Sequence, residues 1–304
     1  MCDSFSAATS LAARLLLAIA PFLVAALLGS LWPGGSAPLP SSLVPELPEV
    51  EAYRRVAERA LFRPVSEVDA PDAWFLKEGL DAATVVDALR GRSLLATRRI
   101  GKVLLIDTSE DGPVLGLRFG MTGRLLVDGR AGVDQLVYAS QRDEMAWDRF
   151  VLRFDDGGDL RLRDPRRLGG VFLDLEEARL GTDVVGLTVA GLRDALGTSV
   201  IALKARLMDQ SRLAGVGNLT ADEVLWRAGL DPRRPARSLS SAEVRRLHRH
   251  LRATVDDLVD RGGSHTGDLM AARLPGGTCP RDGRPLSRAT VGGRTTWWCP
   301  HHQH

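Results

Sequence analysis

An α+β chain of two domains, closed by a small ribbon with metal-ligand spacing, is what the sequence predicts. Three observations carry that expectation. Apolar residues follow strand-like patterns up to about residue 176 and a helical period after it. Cys279 and Cys299 each stand three residues before a second candidate metal donor. A length of 304 residues with 44% apolar content is enough for two cores of ordinary size.

The elements follow in order. Val50, Tyr53, Val56, Ala57 and Leu61 recur at helical spacing in "EVEAYRRVAERAL", residues 49–61. Residues 81–90 read as a second helix with Val85, Val86 and Leu89 on its apolar face. Then come strands, "SLLATRRIG", "KVLLIDT", "VLGLRFG", "RLLVDG", "RFVLRFDDGGDLRLRD" and "GVFLDL", separated by glycine and aspartate turns. Val151 to Leu162 has the form of a hairpin around Asp155-Asp156-Gly157-Gly158. Four helices are expected next, in "LTVAGLRDALG", "ALKARLMDQ", "LTADEVLWRAGL" and "SAEVRRLHRHLRATVDDLVDRGG". The expected units are a β-rich body with two helices over 45–176, a helical domain over 177–264 and a ribbon over 265–304.

Residues 1–44 stand apart. "LLLAIAPFLVAALLGSLW", residues 15–32, is an 18-residue apolar run behind a single Arg14. Signal peptide, membrane anchor and translated leader foreign to the working protein are the competing readings. The third is favoured by what begins at Val44. A GUG codon reads as valine internally and as methionine at an initiation site. If Val44 is that start, removal of the initiator leaves Pro45 with a free amine.

Charge alone names no partner: 40 basic residues face 38 acidic ones, a formal +2. Its distribution says more. Residues 233–252 hold seven arginines and two histidines against one acid, the pattern of a phosphate-facing surface or of a solvated helix face. Three cysteines cannot build a disulfide framework and suit a reducing compartment.

Several short constellations carry possible chemistry. Cys279-x2-Asp282-x16-Cys299-x2-His302 brackets a glycine-rich hairpin with two knuckles, which would bring four donors to one tetrahedral zinc. A metal-free hairpin is the alternative, and His301 and His304 are rival donors. Gly215-Val216-Gly217-Asn218 opens a helix where exposed amides can hold a phosphate. Met121 sits in a glycine-bounded turn, as core filler or as a wedge for a base stack. Asp164-Pro165-Arg166-Arg167-Leu168-Gly169 is a second basic turn with one apolar residue at its tip. Lys102, between two strands, is a displayed amine or a solvated lysine.

Together these fragments resemble the formamidopyrimidine-DNA glycosylase and endonuclease VIII family of base-excision repair enzymes. The resemblance runs from Pro45 to His304 and rests most on "PELPEVE", "LMDQSRLAGVGNLTADE" and "GGRTTWWC". It implies a β-sandwich N-terminal domain with flanking helices, a helix–two-turn–helix DNA-binding domain and a C-terminal zinc-ribbon-like hairpin. It also implies a bifunctional glycosylase and abasic-site lyase, monomeric and cytoplasmic, acting on duplex DNA that holds oxidised bases or abasic sites.

By the same resemblance the amine of Pro45 is the nucleophile and Glu46 the acid at the sugar ring oxygen, with Glu49 in support. Lys102 matches a catalytic lysine that contacts phosphate, and Arg294 the ribbon arginine that grips phosphates around the lesion. Met121, Arg166 and Leu168 match the residues that fill the gap left by an everted nucleotide. Asn218 matches a phosphate ligand. One structural zinc would be held by Cys279, Asp282, Cys299 and His302. The chain departs from the pattern in three places. Leu168 stands where phenylalanine is usual, and Ser211 where a basic residue is frequent, with Arg212 beside it as a substitute. The stretch from Gly263 to Cys279 is short for a capping loop over 8-oxoguanine. These departures favour formamidopyrimidines and oxidised pyrimidines, with 8-oxoguanine kept as a further candidate base. A non-catalytic damaged-DNA-binding protein using the same surfaces is the alternative function.

Overall fold

The first described helix, α1 (Leu47–Ala57), lies across two hydrophobic cores. Val50, Tyr53 and Ala57 enter the core of the β-rich half, whereas Leu47 enters that of the helical half. Pro48 is tolerated in the first turn, where a missing N–H costs no intrahelical bond. The computed structural model describes residues 45–133 and 144–304. The apolar run 15–32 and Val44 lie outside the described residues. No helix among the described residues is long and apolar enough to cross a membrane.

The β-rich half is a sandwich of two antiparallel sheets. One takes β1 (Val65–Asp69), β5 (Arg124–Val127), β6 (Arg130–Ala131), β7 (Asp148–Phe154) and β8 (Asp159–Arg163), in the order β1-β7-β8-β5-β6. The other takes β2 (Leu94–Ile100), β3 (Val103–Thr108), β4 (Leu115–Arg118) and β9 (Gly170–Leu173), in the order β2-β3-β4-β9. Alternation places Phe150, Leu152 and Phe154 of β7 inward, against Leu104 and Ile106 of β3. Val103 and Leu105 point from β3 to the opposite face, where Phe172 and Leu175 cover them. Burial on both faces explains the unbroken apolar run in that strand. Helix α2 (Ala82–Leu89) adds Val85 and Leu89 to the main core, and Asp81 caps it by accepting from Thr84 N.

Two strands of the sandwich, β1 and the two-residue β6, fall outside the sequence expectation. β1 is an edge strand that the period-two reading does not find, because a bulge between Val65 and Glu67 breaks its alternation. The predicted hairpin around Asp155–Gly158 is the β7–β8 connection.

The helical half contains α3 (Val189–Leu196), α4 (Leu203–Leu207), α5 (Asn218–Ala228) and α6 (Ser241–Asp260). α4 is shorter than "ALKARLMDQ" suggested. Buried Leu247, Leu251 and Val255 of α6 pack with Val224 and Leu225 of α5. Gly229 ends α5 in the left-handed conformation, φ 65°. A two-residue parallel pair joins β10 (Thr182–Asp183) to β11 (Leu213–Ala214). Beyond α6, β12 (Ser287–Val291) and β13 (Arg294–Trp298) form an antiparallel hairpin.

Candidate functional site

Two acids of the first helical turn reach across to the second half. The carboxylate of Glu46, which is buried, accepts from Leu219 N at 2.8 Å and Thr220 N at 3.0 Å. These amides open α5, where the helix dipole and unpaired N–H groups favour an anion. The approach needs a glycine at 217: a Cβ there would lie 2.0 Å from Glu46 Cδ. Glu49, also buried, accepts from Ser264 N at 2.6 Å, Ser264 Oγ at 2.7 Å and Glu46 N at 2.9 Å.

Pro45 and Lys102 line one cavity of about 320 Å³, with Arg118, Phe119, Gly120 and Gln210 among its other walls. Lys102 occupies the tight turn between β2 and β3, which is fixed by Asp183: its Oδ2 accepts from Gly101 N at 2.6 Å and Arg99 Nη1 at 2.7 Å. Burial pushes the Lys102 amine below its ordinary value; the charges of Glu46 and Glu49 oppose that shift and Arg294 adds to it. Four of the residues singled out in the sequence thus share one electrostatic neighbourhood around the cavity, although they come from three separate segments.

Met121 is half-buried at the end of β4, and Leu168 is 49% exposed at the start of β9. β4 and β9 are paired, Arg118 opposite Gly170, so the two turns lie side by side. Arg166 is exposed. Its neighbour Arg167 is turned instead onto Asp72, with Nε 2.6 Å from Oδ2. Asn218 is the first residue of α5, buried, with its Oδ1 unpartnered. Arg212 is exposed in the turn before it, and Arg294 is exposed at the start of β13. Within the basic run, Arg233 pairs with Asp231 and Arg234 with Glu243. Arg245, Arg249 and Arg252 are exposed on α6.

The ribbon brings Cys279, Asp282, Cys299 and His302 together, with one ligand atom from each inside a 4.8 Å cluster. Cys279 Sγ lies 3.6 Å from His302 Nδ1, Cys299 Sγ 3.2 Å from Asp282 Oδ2, and His302 Nδ1 3.5 Å from Asp282 Oδ2. Tetrahedral zinc with bonds of roughly 2.0–2.3 Å needs donor separations of this size. His302 Nε2 contacts the carbonyl of Trp226 at 3.2 Å, and Trp226 Nε1 donates to Cys279 Sγ at 3.3 Å. Such outer contacts orient ligands. Burial pushes the Cys299 thiol up to about 11, and the hydrogen bond to Asp282 adds to the shift. His301 and His304 are outside the cluster.

One group escaped the sequence reading. Lys204, fully buried, pairs with Asp222 at 2.7 Å and donates to Thr296 Oγ1 at 2.8 Å and the Thr295 carbonyl at 3.1 Å. Asp222 also binds Arg273 at 2.8 Å. This knot joins α4 and α5 to β13, the strand that begins with Arg294. Its signal was a lysine beside Leu203 in a short helix with a buried face, which the helical period alone does not flag.

The comparisons with known proteins cover the described halves in turn. The model of the formamidopyrimidine-DNA glycosylase N-terminal domain matches residues 44–171, and that of the formamidopyrimidine-DNA glycosylase H2TH domain matches residues 183–269. A formamidopyrimidine-DNA glycosylase of Thermus thermophilus is 35% identical over 284 residues, 84% of this chain and 97% of the relative. That of Heliobacterium modesticaldum is 34% identical over 287 residues, 86% and 100% of the two chains. The crystal structure of the Thermus thermophilus MutM (Fpg) protein superposes with a TM-score of 0.69 at 33% identity, covering 85% of this chain and 98% of that one. Lactococcus lactis Fpg in complex with abasic-site DNA shares the fold, with a TM-score of 0.71 at 24% identity and coverage of 85% and 99%.

Proposed function

Since the chain belongs to the formamidopyrimidine-DNA glycosylase family, and is a DNA glycosylase of oxidised-base repair, we propose that Pro45 is its nucleophile. The reading rests on one observation above the rest: Pro45 and Lys102 face one cavity beside the buried acids Glu46 and Glu49. A secondary amine attacks the sugar C1′, the damaged base departs, and a cationic iminium links protein and DNA. An α-amino group titrates near 8, so a useful neutral fraction exists around pH 7. With Val44 attached, the nitrogen of Pro45 is an amide and has no lone pair to give. The working chain therefore begins at Pro45.

Glu46 protonates the ring oxygen and opens the sugar, and Glu49 holds the same pocket. Lys102 and Arg294 grip the phosphates that flank the lesion, with Arg212 and Asn218 extending that contact. Met121, Arg166 and Leu168 fill the space vacated by the flipped nucleotide, which must leave the stack before its glycosidic bond can be reached. β,δ-Elimination then cleaves the abasic strand. Relatives of this fold have been seen on DNA containing an abasic site and on DNA containing a Fapy-dG, and we assign this chain the same class of partner. Formamidopyrimidines and oxidised pyrimidines are the favoured bases, since Leu168 replaces phenylalanine in the wedge. Zinc, held by Cys279, Asp282, Cys299 and His302, would supply a structural cross-link that fixes the hairpin.

Borohydride trapping tests the reading. A chain with a verified free Pro45 should become covalently joined to abasic DNA, because the iminium is reducible. No trapped species under those conditions would favour a protein that binds damage without processing it. Glu46→Gln should lose base removal more than abasic-site cleavage, since ring protonation matters most while a base still has to depart.

A further inference from the structure

Asp164, at the end of β8, is wholly buried, and both of its carboxylate oxygens are spent on two neighbouring turns. Oδ1 accepts from the hydroxyl of Thr122 and from Arg166 N, the latter at 3.1 Å. Oδ2 accepts from Leu168 N and Gly169 N, each at 2.8 Å. Four donors fill the acceptor capacity of a carboxylate. Their positions matter more than their number. Three amides belong to the turn that displays Arg166 and Leu168, and the hydroxyl belongs to the residue after Met121.

The two turns also touch through their backbones. A Cβ on Gly120 would lie 2.4 Å from the carbonyl carbon of Leu168, and Gly120 has φ 57°. Between the two displayed side chains, Arg167 takes φ 56°, a strained backbone conformation for a non-glycine residue. Two things hold it there: the amides gathered by Asp164 and the paired contact of its guanidinium with Asp72.

We propose that Asp164 is a positioning residue that makes Met121, Arg166 and Leu168 move as one wedge, although it touches no DNA itself. The inference rests on the reading of those three side chains as gap fillers. Insertion into a base stack requires apolar tips held at fixed separation against the resistance of the stack. A carboxylate that binds one turn by three amides and the other by a hydroxyl supplies that rigidity. Among the described residues Thr122 is the one side-chain donor in this bridge, so it separates coupling from folding.

Two variants test the idea. Thr122→Val keeps the shape and removes only the bond between turns. Asp164→Asn keeps the size but sets an amide donor against at least one backbone N–H. Eversion is read from the fluorescence of 2-aminopurine beside the lesion, and chemistry from base excision and from cleavage of preformed abasic sites. Both variants should slow eversion and base excision by roughly 10- to 100-fold, the value of a buried hydrogen bond or two. Abasic-site cleavage should change by less than about threefold, since no base has to leave the stack. Unaltered eversion in both variants overturns the proposal. So does an equal loss of excision and abasic-site cleavage, which marks general structural damage. Met121→Ala separates this failure from that of the underlying reading. If it leaves eversion intact, the wedge reading falls and the inference with it; if it impairs eversion and the two variants do not, the inference alone falls.

Discussion

The two halves of this molecule both have apolar cores but place their buried charges differently. The Asp148–Arg163 pair of the sandwich lies between two strands of one sheet, whereas the helical half sets its own at junctions between elements. The sandwich depends on apolar packing between its sheets, with Phe150, Leu152 and Leu160 fully buried. The helical half has an apolar core as well, but its junctions are ionic: Lys204, Asp222 and Arg273 are buried together, and Glu223 accepts from Arg227, Asp268 N and Leu269 N. The contrast teaches where each half is vulnerable. Trimming the sandwich core would cost stability in proportion to lost contacts, whereas removing one member of a buried ionic knot strands the others. The proposed nucleophile, Lys102 and the gap-filling side chains are assigned to the sandwich, and the phosphate contacts of Arg212, Asn218 and Arg294 to the ionic half, so nucleophile and those contacts can be broken one at a time.

The sharpest way to divide them is at Pro45. Protein carrying residues 1–44 should give no borohydride-trapped product and no base excision, yet bind abasic DNA more strongly than undamaged duplex. Intact mass and gel trapping on the same sample check this. Excision by a chain whose mass retains the leader would remove Pro45 from the mechanism.

Next in size is the metal. We expect one zinc per chain by elemental analysis of protein without a histidine tag. Chelation should disorder the ribbon, lower DNA affinity by at least about tenfold and leave the sandwich folded, because ligands of a small ribbon meet only when it is folded. Hydrogen exchange would localise the change. Protection lost evenly through β3 and β4 would erase the distinction drawn between the halves.

Asp222→Ala comes third. It leaves Lys204 and Arg273 buried without their carboxylate, at a cost of about 3–5 kcal/mol in urea unfolding. Opening should be concentrated around α5 and β13. Asn218→Ala or Arg294→Ala should do less. Each should weaken binding to every duplex alike; Arg294→Ala should also lower the salt slope by about one phosphate contact, whereas Asn218→Ala, which removes no charge, should leave the slope unchanged. A loss confined to one lesion would make the residue a base reader instead.

The smallest effect is a pH shift. Burial lowers the pKa of Lys102, so its ammonium is present below that depressed pKa and is lost as pH rises through it. If its charge holds a phosphate, abasic-site cleavage should decline on the alkaline side in the same way. Lys102→Arg keeps the charge and should move that decline to higher pH; an unmoved profile would take the decline away from Lys102.

Much of the architecture was legible because it is written locally. The Asp155–Gly158 turn, the alternation in β7 and the helical spacing of α6 are each set by residues a few positions apart. β1 was not legible, since one bulge cancels a two-residue period in a five-residue strand. The candidate site was read through its motifs, not through its contacts. Glu46 meets Leu219 and Glu49 meets Ser264 across sequence separations of 173 and 215 residues, and no periodicity reports such pairings. Asp164 was seen as part of a basic turn, with its own carboxylate overlooked. Lys204 shows the same gap: a charged side chain in a core position has meaning only once its partners are known.

The long reach of Glu46 and Glu49 has a consequence for biosynthesis. Translation delivers the first helix early and its anchoring partners late. Glu46 cannot find its place until the ribosome has passed Thr220, nor Glu49 until it has passed Ser264. In a chain begun at Val44, an aminopeptidase would have that whole interval to strip the initiator from the nascent end. After folding the same residue is buried in the wall of the cavity, where a peptidase meets it less readily than at a free nascent end. Maturation would then be a race that synthesis order decides in favour of the free amine.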